Sequence, residues 1–462
     1  GRDRRGLGLL VAATTSDQDP RTQDDRRHHA THPRTLEATW LPPTVAPMTD
    51  RSFPHAGRPA ADVLADLADK RSGDARWAEG RTFGLVFDGG DDVRAVADAA
   101  AHLYLHESAL NTAAFPSLGA IQSELCGWIA GLFHGPEAAG FLTSGGTESI
   151  LLAVKAARER ALAERGVTEP EIVLAESAHA AFHKGAHLFG LTVRRTPVTA
   201  DLTADPDAMA TVVGPNTALV VASAMDYPTG LVDPVPEIAA LAASVGASCH
   251  VDACMGGFVL PFAEMEGRPA PTWDFRTEGV TTISADIHKL GYAPKGVSVL
   301  LHASRELRRH QTFVFDQWLG GLYATPNLQG TRAGLPMAAA WAVVSHLGID
   351  GYRHLVRSTL DAADHIRDGV RGIEGLALRG DPVHQILTFA SDDPDLDVFA
   401  VGDALSARGW HVDRQYPPDC LHLTVSNGNV SVVDEFLGDL AASVEEARSA
   451  TSGGSGQYAT ID

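Results

Sequence analysis

Cysteine is scarce: Cys126, Cys249, Cys254 and Cys420 are the four in 462 residues. That is too few for a disulfide framework, and their spacing matches no zinc motif. Such usage fits a reducing compartment, so the cytoplasm is the expected location. No run of about 18 apolar residues occurs, so no membrane span is expected. Basic residues are outnumbered, 37 Lys plus Arg against 58 Asp plus Glu, for a formal charge of −21. A chain with that balance is not expected to bind nucleic acid or an anionic membrane non-specifically.

Apolar residues make up 44%, and the length suffices for two or three domains with a buried core. Residues 1–50 are rich in Arg, Asp, Thr, Pro and His and read as a disordered N-terminal extension. The stretch GLGLLVAA is too short and poorly flanked for a secretion signal. The chain opens with Gly, and Met48 is the expected natural start. Residues 451–462 read as a flexible tail. Between the ends, EIVLAES, TALVVASA, SCHVDA, VTTISAD and GVSVLLHA read as buried strands. Helical patterns accompany them at TESILLAVKAARERALAERG, after Ser177, and at PVPEIAALAASVG. The alternation predicts an α/β fold, a mostly parallel sheet with helices on both faces. The expected layout is a helical arm over 51–110, a large domain over 111–340 and a smaller α+β domain over 341–450. The last begins with the helical pattern GYRHLVRSTLDAADHIRDGVRG and ends with VVDEFLGDLAASVEEARS.

Three segments carry chemistry. Thr143-Ser144-Gly145-Gly146-Thr147-Glu148-Ser149 opens a helix. Its glycines admit a ligand close to the backbone, and the helix start offers free N–H groups to an anion. It is neither G-x-G-x-x-G nor a P-loop. His250-Val251-Asp252-Ala253-Cys254 places a carboxylate at the end of a strand, where open α/β sheets bind ligands. Ser284-Ala285-Asp286-Ile287-His288-Lys289-Leu290-Gly291-Tyr292 places a lysine just past another strand, where desolvation favours an amine nucleophile. Singly these read as a glycine turn, a capping Asp and a solvated loop lysine. Together they are the three parts a pyridoxal phosphate site needs: a phosphate cradle, an acid for the pyridine nitrogen and a lysine for covalent attachment.

Over residues 60 to 445 the chain resembles the sphingosine-1-phosphate lyase family, within the group II pyridoxal-phosphate decarboxylases of the aspartate-aminotransferase fold. The resemblance rests on TSGGTESILLAVKA, ESAHAAFHKGA, HVDACMGGFVLPF, ISADIHKLGYAPKG and WLGGLYATPNLQGTRAG. It implies that Lys289 attaches the cofactor, that Asp252 pairs with the pyridine nitrogen and that His179 stacks on the ring. It also implies phosphate binding by Gly145, Gly146 and Thr147, with His288 helping to seat it. The family builds its pocket between the two subunits of a homodimer. Gly320-Gly321-Leu322-Tyr323 and Gly330-Thr331-Arg332 resemble the segment that reaches across, which places Tyr323 among the catalytic residues and Thr331 among those holding the cofactor. His179, His183 and His187, spaced four apart, suggest one helix face and a possible metal site; without H-E-x-x-H or a carboxylate partner, no metal is expected.

Two positions depart from the family. Phe87 stands where a Tyr is usual, and Asn111 where a His is usual. Both belong to the substrate's end of the pocket, and each change removes a donor for a phosphate. Lys295, Tyr323 and Arg332 remain there. The expected activity is a carbon–carbon lyase acting on a small amine or amino acid, such as an amino alcohol or its phosphate, with altered selectivity. The alternatives are an amino-acid decarboxylase on the same scaffold and a cofactor-binding protein without turnover.

Overall fold

The computed structural model describes residues 53–268, 270–454 and 456. By compactness the chain divides into residues 1–62 with 462, and residues 63–461; the second unit carries all that follows. The extension over 1–50 and residues 457–462 of the tail lie outside the described residues.

Seven strands form the large sheet: β1 (Ala139–Thr143), β2 (Glu171–Ala175), β3 (Thr192–Thr196), β4 (Thr217–Ser223), β5 (Ser248–Asp252), β6 (Val280–Ala285) and β7 (Ser298–His302). Their spatial order is β1-β7-β6-β5-β4-β2-β3. Five of the seven are the apolar runs that the sequence marks. β4, β5 and β7 are buried at every position, as expected of strands covered on both faces. β3, β2, β4, β5 and β6 run parallel. β7 is antiparallel to both β6 and β1, so the sheet is mostly parallel with one reversed strand. The carboxyl ends of β1, β2, β4, β5 and β6 therefore share one edge with the start of β7. Ligands bind at such an edge in open α/β sheets.

The helix Gly146–Arg165 starts two residues after β1 and packs its buried Ile150, Val154 and Ala157 on β2 and β4. A two-stranded ribbon, β8 (Phe313–Phe315) with β9 (Tyr323–Thr325), stands apart from the sheet. The helix expected to begin near 351 begins at Gly334 and runs to Arg371, broken at Gly348, where φ is 54°. With ψ at −170°, that is a backbone region essentially confined to glycine. The small domain has four antiparallel strands, β10 (Leu376–Leu378), β11 (Ile386–Ser391), β12 (Asp413–Gln415) and β13 (Cys420–Thr424), ordered β10-β11-β13-β12. It closes with the helix Val433–Ala447.

The small domain's core takes a side chain from far upstream. Phe83 is fully buried, 4.5 Å from the Phe436 ring and 5.9 Å from that of Trp410. The backbone around it is paired as well: Phe83 N–H donates to His411 O, and Thr424 N–H donates to Phe83 O. Deleting a buried aromatic costs about 3–5 kcal/mol. Phe83→Ala is therefore expected to lower the urea midpoint of the small domain by that amount of stability, measured by equilibrium unfolding.

Candidate active site

Asp286 follows β6 directly and is buried. Its Oδ2 lies 3.1 Å from Lys289 Nζ, and its Oδ1 accepts a hydrogen bond from Ser298 Oγ at 2.6 Å. Burial alone would push this carboxyl up. The Lys289 ammonium, the His288 ring and the Ser298 hydroxyl outweigh that and hold it below the usual carboxylate range. Gly146, at the start of its helix, rests on the same group: a Cβ there would lie 2.8 and 2.9 Å from the Asp286 oxygens and 2.9 Å from Cys254 Sγ. A Cβ on Gly145 would approach His288 Cε1 to 3.3 Å. The glycines thus let a helix start settle onto a buried carboxylate and a lysine.

Asp252 ends β5. Its Oδ1 accepts from Cys254 N–H at 3.0 Å and from Ser284 Oγ at 3.3 Å. Behind Ser284 lies His250, fully buried, with Nδ1 2.9 Å from Thr282 Oγ1 and Nε2 3.2 Å from Ser284 Oγ. Burial lowers the His250 pKa to about 4, so the ring is neutral and can only give one proton and accept one. His179 sits in the turn after β2, before the helix Ala181–Phe189 begins. The three histidines therefore do not share one helix face. Its Nδ1 accepts from Ala181 N–H, and burial lowers its pKa against the pull of Asp252. His288 is lowered for the same reason, and its Nδ1 accepts from Val297 N–H at 3.3 Å.

Lys295 reaches solvent at the mouth of the site. Its Nζ donates to His288 O at 2.9 Å and lies 4.8 Å from the centre of the Phe87 ring. Protein crowded around the ammonium, with Lys289 nearby, lowers its pKa to about 8. Thus Lys289, Asp252, His179, His288, Gly145, Gly146, Thr147, Lys295 and Phe87 gather at one sheet edge.

The other expected residues form a second cluster. Gly330 lies beside Tyr323, with a Cβ there 3.5 Å from the hydroxyl and 3.9 Å from Leu110. Arg332 Nη1 donates to Asn327 Oδ1 at 2.8 Å, and Nη2 to Ala109 O at 2.6 Å. Thr331 is exposed. Asn111 caps its own turn, Oδ1 accepting from Ala113 N–H at 2.9 Å.

Sequence reasoning missed several contributors. Asp286 stood inside a quoted motif without a role, although an acid three residues before a lysine in a tight turn is within ion-pair reach. Ser284 and His250 carried no separate signal. Tyr227, from the loop after β4, donates its hydroxyl to Asp413 Oδ2 at 2.9 Å and its ring lies 4.3 Å from that of His422, tilted by 36°, tying the site to the small domain.

The donors suit pyridoxal phosphate: helix-start amides for its phosphate, a buried acid at a strand end for a ring nitrogen, and a lysine amine. Because Gly146 has no room for a side chain, Gly146→Ala is expected to weaken cofactor binding about tenfold or more, roughly 1.4 kcal/mol. Fluorescence titration would read the affinity, and circular dichroism would show the helices unchanged.

Residues 42–390 match the pyridoxal-dependent decarboxylase conserved domain. A sphingosine-1-phosphate lyase of Oryza sativa subsp. japonica is 38% identical over 395 residues, covering 84% of this chain and 73% of that one. The solved sphingosine-1-phosphate lyase of Burkholderia pseudomallei superposes with a TM-score of 0.82 at 38% identity, covering 86% and 93% of the two chains. A Lactobacillus brevis glutamate decarboxylase shares the fold, with a TM-score of 0.76 at 21% identity over 87% and 96%. The aspartate-aminotransferase-like architecture and the pyridoxal 5′-phosphate cofactor follow from these likenesses. The chain belongs to the pyridoxal-dependent decarboxylase family, alongside its sphingosine-1-phosphate lyases, and is a pyridoxal-phosphate-dependent lyase.

Proposed function

We propose that this lyase cleaves the carbon–carbon bond between the amine-bearing and hydroxyl-bearing carbons of an amino alcohol or a β-hydroxy amino acid, releasing an aldehyde. Pyridoxal phosphate supplies, when bound, an aldehyde for covalent attachment and an electron-withdrawing ring. In this reading Gly145, Gly146 and Thr147 hold its phosphate, Asp252 keeps its ring nitrogen protonated, and His179 covers the ring. Lys289 Nζ, beside Asp286, is the amine that attaches it and then carries protons. Thr331 and Tyr323 complete the site from the other subunit.

The observation that carries the substrate reading is the ammonium of Lys295 lying over the bare ring of Phe87. A phosphate dianion needs several charge-assisted donors. Here a phenol is missing at position 87, and Asn111, whose Oδ1 accepts from Ala113 N–H, presents a neutral amide where a histidine could carry charge. Long-chain base phosphates are therefore expected to be poor substrates, with an anionic or polar group of a smaller amine held by Lys295. Each charge-assisted contact is worth about 1.5–3 kcal/mol. The double variant Phe87→Tyr, Asn111→His is thus expected to raise kcat/KM for a phosphorylated sphingoid base by roughly two decades or more. Efficient wild-type turnover, unimproved by the double change, would refute the assignment. A panel of amino acids and amino alcohols scored for aldehyde and carbon dioxide tests the bond broken, since carbon dioxide release would make it a decarboxylase.

Charge on Lys295 also sets a pH limit. Its depressed pKa means the cation is present below about 8 and lost above it. Affinity for an anionic substrate should fall as pH rises through about 8, at most about tenfold per unit. Lys295→Met should remove that limb from the kcat/KM profile.

The ribbon β8–β9 favours a homodimer with shared sites. Phe313, Val314, Trp318, Leu319 and Leu322 are exposed together there, Leu319 completely, and contiguous apolar surface of this kind marks an interface. Mixing Lys289→Ala with Tyr323→Phe should restore activity, because a hybrid dimer keeps one intact site. Hybrids as dead as their parents would count against sharing. Cytoplasmic residence is also proposed: the four cysteines are free thiols, and no described helix is long and apolar enough to cross a membrane.

A further inference from the structure

The carboxylate of Glu148 joins two segments that the sequence holds 180 residues apart. Glu148 lies in the first turn of the helix Gly146–Arg165 and is buried. Its Oε2 accepts Ser144 N–H at 2.6 Å, at the turn that forms the phosphate cradle. Its Oε1 accepts Leu328 N–H at 2.9 Å and lies 3.5 Å from Asn327 Nδ2. The same Asn327 nitrogen donates to Leu142 O at 2.9 Å, and Asn327 Oδ1 receives Arg332. On the neighbouring residue, Pro326 O accepts from Gln311 Nε2 at 2.8 Å.

An acid in a first helical turn ordinarily folds back on the amides just before it. That accounts for Oε2 and leaves Oε1 unexplained. The second oxygen grips the base of the segment that runs from Tyr323 to Arg332, while the apolar tip of the ribbon stays exposed. A phosphate arriving on the neighbouring amides adds a second negative charge beside the buried Glu148 carboxylate. That charge repels the Glu148 carboxylate and competes for Ser144 N–H, so the carboxylate depends more on the donors at its other oxygen, Leu328 N–H and Asn327 Nδ2.

We propose that Glu148 is a positioning residue that couples filling of the phosphate cradle to ordering of the Tyr323-bearing segment. This rests on the shared-site reading, under which a cofactor bound in one subunit prepares the site of the other.

The test is amide hydrogen exchange over residues 323–332 in the full chain, with and without pyridoxal phosphate. In the wild type the cofactor should slow exchange across the segment about tenfold, the worth of one such hydrogen bond. Glu148→Gln presents a donor where one of the two acceptors was, so it should keep cofactor absorption yet lose that protection. Its kcat should fall with KM little changed. Asn327→Ala, which keeps the Glu148 contacts to Ser144 and Leu328 N–H while removing the bonds to Leu142 O and Arg332, should lose the same protection. Equal protection in both variants, or none in the wild type, would overturn the link. A monomer in sedimentation velocity would overturn the shared-site reading, whatever the exchange shows.

Discussion

A carboxylate removed from water costs several kcal/mol unless a cation and hydrogen-bond donors surround it, and Asp286 is such a carboxylate. Lys289 lies at 3.1 Å, Ser298 donates at 2.6 Å, and Gly146 is pressed against the remaining side. Those contacts come from the end of β6, the start of β7 and the first turn of the helix after β1. One buried charge therefore fixes the relative positions of Lys289 and the glycine turn that opens the helix Gly146–Arg165. Because β7 runs backwards, its first residue lies at that same edge and brings the Ser298 hydroxyl to the carboxylate.

What could be read from sequence follows from burial. β2, β4, β5, β6 and β7 are largely covered on both faces and show as short runs rich in apolar and β-branched residues. β3 escaped notice because it is an edge strand carrying Arg194 and Arg195, which pair with Glu171 and Glu176. β1 is a short AGFLT in which Gly140 allows the β7 backbone close: a Cβ would lie 2.1 Å from Leu300 O. The reversed direction of β7 leaves no mark on its composition. The helix from Gly334 was read short because Gly348 interrupts the pattern where the second half takes over.

The site was legible wherever chemistry sits at a strand end. Lys289, Asp252 and the TSGGTES turn stood out by residue type, and the resemblance added His179, Tyr323 and Lys295. Glu148 was not legible, since an acid in the first turn of a helix is the commonest of choices; its second set of partners depends on a loop brought in by the tertiary fold. The histidines mislead in the same way. Burial lowers the pKa of His250, to about 4, and also that of His288, and neither shift is visible from residue type alone.

Phe83 also dictates an order of events as the chain emerges from the ribosome. Its neighbourhood is completed by residues far downstream, as when Arg81 reaches the Arg408 carbonyl across 327 positions. At about 5–20 residues per second that is a wait of roughly 16–65 s. All seven strands of the large sheet are translated within that interval, so the large sheet is complete before the small domain has its core. Until residues 410–436 appear, Phe83 is a stranded aromatic, and the nascent chain is most open to misassociation over that stretch of its synthesis.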